Sequence, residues 1–247
     1  LSGLPTATAG TPAYPFLGGP VGYFSYDLGR CVEEIPDRKA ADLQVPDIHL
    51  AVYPRVYVVD HVWGETFVIT PRPRIAFEPS PIPDDLEVPA NPDAIEALPS
   101  DAFIDTIREA KRAIFAGEIY QVNLSHRLAL PIRGTPEAAY ERLRTRTPST
   151  FGGYLEAGDH RILSASPERF LQVRGRDIET RPIKGTRPRG RTPAEDHALA
   201  EELLASEKDS AENVMIVDLE RNDLGKVCEF GSVQVPILKG LRSLPNV

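Results

Sequence analysis

Residues 100–131 read SDAFIDTIREAKRAIFAGEIYQVNLSHRLALP, and the hydrophobic period changes within them. Phe103, Ile107, Ala110 and Ile114 follow at spacings of four, three and four, which puts them on one face of a helix. Ser100 or Asp101 supplies the N-cap and Gly117 stands just past the end, so the pattern predicts one amphipathic helix. From Tyr120 the period drops to two: Tyr120, Val122, Leu124, Leu128 and Leu130 alternate with Gln121, Asn123, Ser125 and Arg127. That alternation predicts a half-buried strand.

Working outward, a second helix is expected from about Pro136 to Arg144, then strands near 153–155, 161–164 and 170–173. An arginine-rich loop follows, then one long helix from about Pro193 to Glu220 and a short strand around Ser232 to Val235. Upstream, the β-branched and aromatic run from Leu50 to Asp60 reads as a strand, and Glu65 to Thr70 as its hairpin partner across the turn at Gly64. Residues 1–20 are rich in Gly, Pro and Thr, and eight prolines lie between Pro71 and Pro99. The chain therefore divides into a strand-rich part (1–70), a Pro-rich connection (71–99) and a part of mixed helices and strands (100–247). Paired strands mixed with long helices imply α+β with largely antiparallel sheet.

Composition narrows the function. The 247 residues carry a formal net charge of −8 with 41% hydrophobic and 26% charged residues, ordinary globular values. A compact chain of this length buries roughly 70% of its unfolded surface. A nucleic-acid coat and a polybasic membrane anchor are both disfavoured by the negative balance. No apolar run approaches the roughly 20 residues that span a bilayer, and no charged n-region precedes an apolar stretch. The two cysteines, Cys31 and Cys228, form no C-x-x-C pair, which fits a reducing compartment, so cytoplasm is expected. There is no G-x-G-x-x-G after a strand, no P-loop and no H-E-x-x-H.

Several residues carry possible chemistry. Between Arg174 and Arg191 lie seven cations against two acids, Asp177 and Glu179. Such a patch is either a solvated basic loop or a cradle for a small anion. Within it Lys184 sits in Pro182-Ile183-Lys184-Gly185-Thr186, where neighbouring cations would favour a neutral, nucleophilic amine. Glu168, in the turn Ser166-Pro167-Glu168, is either a turn residue or a carboxylic acid placed to protonate a leaving group. Glu212 shares a helical face with Leu204, Ala205, Met215, Ile216 and Leu219. A carboxylate on an apolar stripe needs a partner, either Lys208 one turn earlier or a hard cation such as Mg²⁺. Gln121 can hydrogen-bond solvent or a ligand, and nothing local decides between them. No serine has an identifiable histidine partner for a hydrolase triad.

In order along the chain stand GYFSYDL (22–28), GEIYQVNLS (117–125), SPERF (166–170), RPIKGTRPR (181–189) and KDSAEN through VDLERNDL (208–224). Together they resemble the chorismate-utilising enzymes, over about residues 16 to 247. The resemblance implies a fold of two facing, mostly antiparallel sheets covered by helices, incomplete here at both ends. Within that family, the anthranilate synthase component I branch usually has alanine at the position of Lys184, and the aminodeoxychorismate synthase component I branch has lysine. The resemblance therefore implies amination of chorismate to 4-amino-4-deoxychorismate, a step toward folate, with ammonia from a glutamine amidotransferase, separate or fused.

The same resemblance assigns Lys184 as the nucleophile at C2 of chorismate, Glu168 as general acid/base and Glu212 as a Mg²⁺ ligand. Gly185 and Thr186 would lie beside the substrate. Members that add water instead of ammonia have lysine at the position of Gln121, so isochorismate and salicylate are disfavoured products. Three other readings stand beside this one: anthranilate synthase with an unusual lysine, a non-catalytic chorismate-binding or amidotransferase-docking fragment, and, more distantly, a nucleic-acid module. The family continues past Val247 into further site residues, so the 247-residue chain alone is expected to lack synthase activity.

Overall fold

A computed structural model describes residues 16–35, 43–70, 81–87, 95–96 and 100–247. Ten strands and four α-helices follow in the order β1 (Gly19–Phe24), β2 (Ile48–Tyr53), β3 (Val56–Asp60), β4 (Glu65–Ile69), β5 (Ile95–Glu96), α1 (Ser100–Phe115), β6 (Leu128–Ala129), α2 (Pro136–Arg146), β7 (Phe151–Ala157), β8 (His160–Ser166), β9 (Arg169–Arg174), β10 (Asp177–Arg181), α3 (Pro193–Ala205) and α4 (Glu207–Gly225). The class is α+β. Among the described residues the strands pair two at a time and always antiparallel: β1 with β2, β3 with β4, β5 with β6, β7 with β8 and β9 with β10. The chain forms two compact units, residues 81–146 and the remainder on either side of them.

In the smaller unit, α1 begins at Ser100 and stops before Gly117, whose φ of 74° ends the helix. Its half-buried residues are Phe103, Thr106, Ala110 and Ala113, while Ile107 and Ile114 are exposed, so the covered stripe is rotated from the expected one. Phe103 stacks on His126 at 5.5 Å. α2 is started by a Thr-Pro pair: Thr135 Oγ1 accepts from the Ala138 N–H, and Pro136 takes the first helical position. Asp85 in turn accepts from the Thr135 N–H and hydroxyl at 3.0 and 2.9 Å, and the backbone donor holds its carboxyl below the usual range.

The expected strand from Tyr120 to Leu130 does not form. Only Leu128–Ala129 pairs, and Tyr120 to Arg127 have no regular hydrogen bonding. The alternation describes which side chains share a face. It does not supply the neighbouring strand that a ladder requires.

In the larger unit the single strand expected from Leu50 to Asp60 is two, β2 and β3, which pair in different ribbons. Pro54 separates them, because proline has no N–H for a ladder and restricts the residue before it. The β3–β4 hairpin turns at Gly64 with φ 68° as anticipated. Part of the arginine-rich loop is ordered as β10, paired with β9. The long helix from Pro193 is broken at Ser206, which has extended φ and ψ of −68° and 108° and caps α4 by accepting from the Asp209 N–H. Residues 232–235, expected as a strand, are irregular.

β1–β2 meets β7–β8 through one polar chain. The Tyr23 hydroxyl is 3.0 Å from His160 Nε2, Asp159 carries His160 Nδ1 at 2.8 Å, and the His49 ring stacks on Tyr23. Buried hydrophobic side chains are few: among the described residues there are two, Ala138 and Ala157. Phe24, Trp63 and Phe170 remain 65%, 77% and 83% exposed, well short of the burial expected for this length. Cys31 and Cys228 are free thiols. No described helix is long and apolar enough to cross a membrane. The boundaries of the Pro-rich connection fall mostly outside the described residues.

Close pairing makes Gly22 a sensitive position. A Cβ added there would stand 1.7 Å from the His49 carbonyl oxygen, whereas one at Gly153 in β7 meets nothing within 4 Å. Gly22→Ala should destabilise the larger unit by about 1–3 kcal/mol, and Gly153→Ala should be near neutral, as read from urea unfolding midpoints.

Candidate active site

β8 ends in the turn Pro167-Glu168, where Ser166 Oγ bonds the backbone of Glu168. This places Glu168 Oε1 where it accepts the Ile183 N–H at 2.8 Å. The carboxylate thereby ties the β8–β9 connection to the segment leaving β10. Between Glu179 and Arg181 the β9–β10 register shifts, and the Thr180 hydroxyl donates to the Phe170 carbonyl at 2.6 Å. Glu179 forms ion pairs with both Arg181 and Arg169, which hold its carboxyl below the usual range. Arg169 also lies over the Phe151 ring at 5.3 Å.

The segment from Pro182 to Arg191 is irregular and held by charge. Arg187 spans the break between the two C-terminal helices, reaching Glu202 on α3 at 2.7 Å and Asp209 on α4 at 3.2 Å. Arg189 grips Asp196 with two nitrogens at 2.8 and 2.7 Å and gives its third to the Leu244 carbonyl. Asp196 also accepts the Gly190 N–H, so Arg189 and that amide together lower its pKa to about 2. Ser206 first, then Arg187, holds Asp209 below the usual carboxylate range. Gly185 has φ 71°, and a Cβ there would lie 2.9 Å from both Asp209 and Leu203. Only glycine lets the backbone come this close.

These contacts place Lys184 in the wall of a cavity of about 810 Å³, with Gly185, Thr186, Arg169, Asn213 and Glu220. The half-buried Lys184 amine donates to the Ile183 carbonyl at 3.2 Å. Its surroundings differ from the expected cationic field. Arg169, Arg181, Arg187 and Arg189 are all committed to carboxylates, and Glu220 is close enough to interact with the Lys184 charge.

Glu212 faces elsewhere. It is half-buried on α4 but is absent from the cavity wall, and among the described residues its carboxylate makes neither the Lys208 pair nor any other ion pair or hydrogen bond. Leu204 and Ala205 lie on α3, across the Ser206 break, so only Met215, Ile216 and Leu219 of the expected stripe share its helix. Among the described residues no group of three or more His, Cys, Asp or Glu stands close enough to hold a metal. Gln121 belongs to the smaller unit, half-buried in the irregular run after α1.

A family model described as chorismate binding enzyme matches residues 4–247. The chain belongs to the chorismate binding enzyme family. It is 38% identical to aminodeoxychorismate synthase component 1 of Klebsiella aerogenes over 96% of this chain and 53% of the relative. It is 42% identical to anthranilate synthase component 1 of Thermus thermophilus over 90% of this chain and 51% of the relative. Its fold superposes on the crystal structure of anthranilate synthase component I from Streptococcus pneumoniae with a TM-score of 0.74 at 30% identity, over 89% of this chain and 52% of that one. The chain spans about half the length of the curated relatives it matches.

The family motifs 166–170, 181–189 and 208–224 thus meet around one cavity, while 117–125 lies in the other unit. Thr180, Asn213 and Glu220 are among the wall residues to which the sequence alone assigns no individual role. The signal for two of them was present. Ser210, Asn213, Val217, Glu220 and Leu224 recur at three, four, three and four, one stripe of α4, and all line the cavity.

The Asp196 clamp makes a prediction for acid. Its folded pKa is depressed to about 2 from roughly 3.9 in an unfolded chain, so its contribution is present above pH ~4 and lost as pH falls toward 2. Asp196→Asn should remove that part of the acid dependence of the urea midpoint and lower the midpoint at neutral pH.

Proposed function

We propose that this chain supplies part of the active site of an aminodeoxychorismate synthase component I, aminating chorismate to 4-amino-4-deoxychorismate. The observation that carries this reading is Lys184 in the cavity wall, beside Gly185 and Thr186, with Glu168 fixed on the adjoining residue. A lysine amine that is partly withdrawn from water and bonded only to a neutral carbonyl is free to present its lone pair. In the proposed reaction the neutral Lys184 amine adds at C2 of chorismate while the C4 hydroxyl departs. Glu168 gives that hydroxyl its proton. Ammonia, delivered by a glutamine amidotransferase, then attacks C4, and the C2–nitrogen bond breaks to release Lys184.

Mg²⁺ binds through one or two carboxylates plus water and substrate oxygens. Glu212, half-buried and with no ion pair or hydrogen bond among the described residues, is the carboxylate we assign to such an ion, although it lies outside the wall of the Lys184 cavity. When bound there, the ion would neutralise carboxylate charge on the substrate. The cytoplasm is the compartment in which we place this activity, in keeping with the two free thiols.

A second reading is anthranilate synthase component I, favoured by the 42% identity to the Thermus thermophilus protein. Product analysis separates the two. The full-length protein, given chorismate, Mg²⁺ and ammonia, should form aminodeoxychorismate, and Lys184→Ala should lower turnover by about a hundredfold or more. Anthranilate from both proteins would instead make the lysine incidental. Glu212→Gln should weaken Mg²⁺ binding measured by calorimetry in the presence of chorismate, and unchanged affinity would remove Glu212 as a ligand.

A further inference from the structure

The reaction proposed above brings a dicarboxylate to a wall whose positive charge is mostly spoken for. Of the guanidiniums that line the cavity, Arg169 and Arg181 pair with Glu179, Arg187 with Glu202 and Asp209, Arg189 with Asp196, and Arg221 with Asp218. Lys184 cannot be the counter-charge, because the amine that attacks has to be neutral. Arg242 gives one nitrogen to the Thr150 hydroxyl at 2.7 Å, just before β7. Lys239 is left. It lines the same cavity, its side chain is exposed, and among the described residues its ammonium makes neither an ion pair nor a hydrogen bond.

Lys239 does not sit on a free loop. Residues 238–244 all line the cavity, and they form a strap fixed at both ends: Asn213 of α4 donates to the Leu238 carbonyl at 2.7 Å, and Arg189 donates to the Leu244 carbonyl at 2.7 Å. Both anchors lead back to Lys184. Asn213 stands one helical turn, about 6 Å, beyond Asp209, and Asp209 is the residue against which Gly185 packs. Arg189 belongs to the same irregular segment as the lysine itself. Lys239 directly follows the Leu238 anchor, so its backbone is set by a bond one residue away.

We propose that Lys239 is a substrate-binding residue that takes one carboxylate of the substrate, and that Asn213 is the positioning residue that holds it at the cavity. The inference rests on the amination reading, in which the substrate is chorismate. An ammonium on a flexible stem has three donors that turn to follow an incoming carboxylate, and the resulting hydrogen bond is charge-assisted. Lys239 has no partner to give up. Recruiting Arg187 or Arg189 instead would strand Asp209 or Asp196, which costs more than the new bond returns.

The test uses the full-length protein, with chorismate as substrate and isophthalate, an unreactive ring dicarboxylate, as binding probe. Lys239→Ala should raise KM for chorismate by about tenfold or more, as expected for one hydrogen bond to a charged group, with a much smaller fall in kcat. Calorimetry should show isophthalate binding weakened by a similar factor, and Lys239→Arg should recover most of both losses. Asn213→Ala keeps the ammonium but releases the strap, and should weaken isophthalate by about threefold. Added salt should weaken isophthalate binding to the wild type, and more shallowly to Lys239→Ala. The urea midpoint of Lys239→Ala should match the wild type, since the exposed side chain has no folded partner to lose. Unchanged KM and unchanged isophthalate affinity in Lys239→Ala, or a loss confined to kcat, would overturn the proposal. A wild type that binds isophthalate through Lys239 but forms no aminodeoxychorismate would uphold the carboxylate site and remove the reaction assigned above. Aminodeoxychorismate formed equally well by Lys239→Ala would do the reverse.

Discussion

The position of Lys184 depends on one guanidinium. α3 and α4 meet at Ser206 without an intervening loop, and Arg187 closes the joint by pairing with Glu202 near the end of α3 and Asp209 in the first turn of α4. Both pairs suit the helix dipoles: a cation stands near the C-terminus of α3, and an anion stands at the N-terminus of α4. Arg187 and Asp209 are 25% and 19% exposed, so this pair is more withdrawn from water than the other ion pairs among the described residues. Removing one partner of such a pair strands the other, which costs more than the pair contributes when intact. Gly185 then packs against Asp209 and Leu203 because it has no Cβ. Its neighbour Lys184 is placed by that contact.

The site is therefore ordered by polar clamps rather than by a deep core. Arg187, Arg189 and the Glu168–Ile183 bond fix the 182–191 segment at three points, while large apolar side chains such as Phe170 stay exposed nearby. Clamps of this kind are directional, which suits a segment whose backbone carries the reactive lysine. They are also more sensitive to acid and to salt than apolar packing is. The seven cations of residues 174–191 read as a surplus of positive charge only while their partners are out of sight. Glu202, Asp209 and Asp196 lie on helices up to 22 residues away and pair with Arg187 and Arg189, while Glu229 pairs with Arg176 and Glu179 with Arg181.

What the sequence disclosed and what it hid follow the range of the interactions. The α1 boundaries, the Gly64 hairpin and the Thr-Pro starts of α2 and α3 are set by residues within a few positions of each other, and they form where the local pattern places them. The break at Ser206 was also local: serine followed three positions later by an acid is a helix-start signature, but the apolar run through it reads as one continuous helix. The failed strand at Tyr120 to Arg127 is the opposite case, since pairing depends on a partner that alternation does not identify. The apolar stripe drawn around Glu212 runs across the break at Ser206, and two of its members, Leu204 and Ala205, belong to α3 rather than to the helix of Glu212. Glu220 was missed because the stripe that carries it looks apolar until Asn213 and Ser210 are counted on the same face.

One residue joins the two groups that chemistry would use together. The Ile183 N–H is held by Glu168, and its carbonyl accepts from the Lys184 amine. The proposed acid and the proposed nucleophile are thus registered through a single stretch of backbone, and neither can shift along the segment without disturbing the other. That bond occupies one Glu168 oxygen and leaves the second available to a leaving hydroxyl. Pro182 before this unit and the positive φ of Gly185 after it limit the conformations the segment can take. Lys184 is thus constrained on both sides, by Pro182 two residues before it and by Gly185 directly after it.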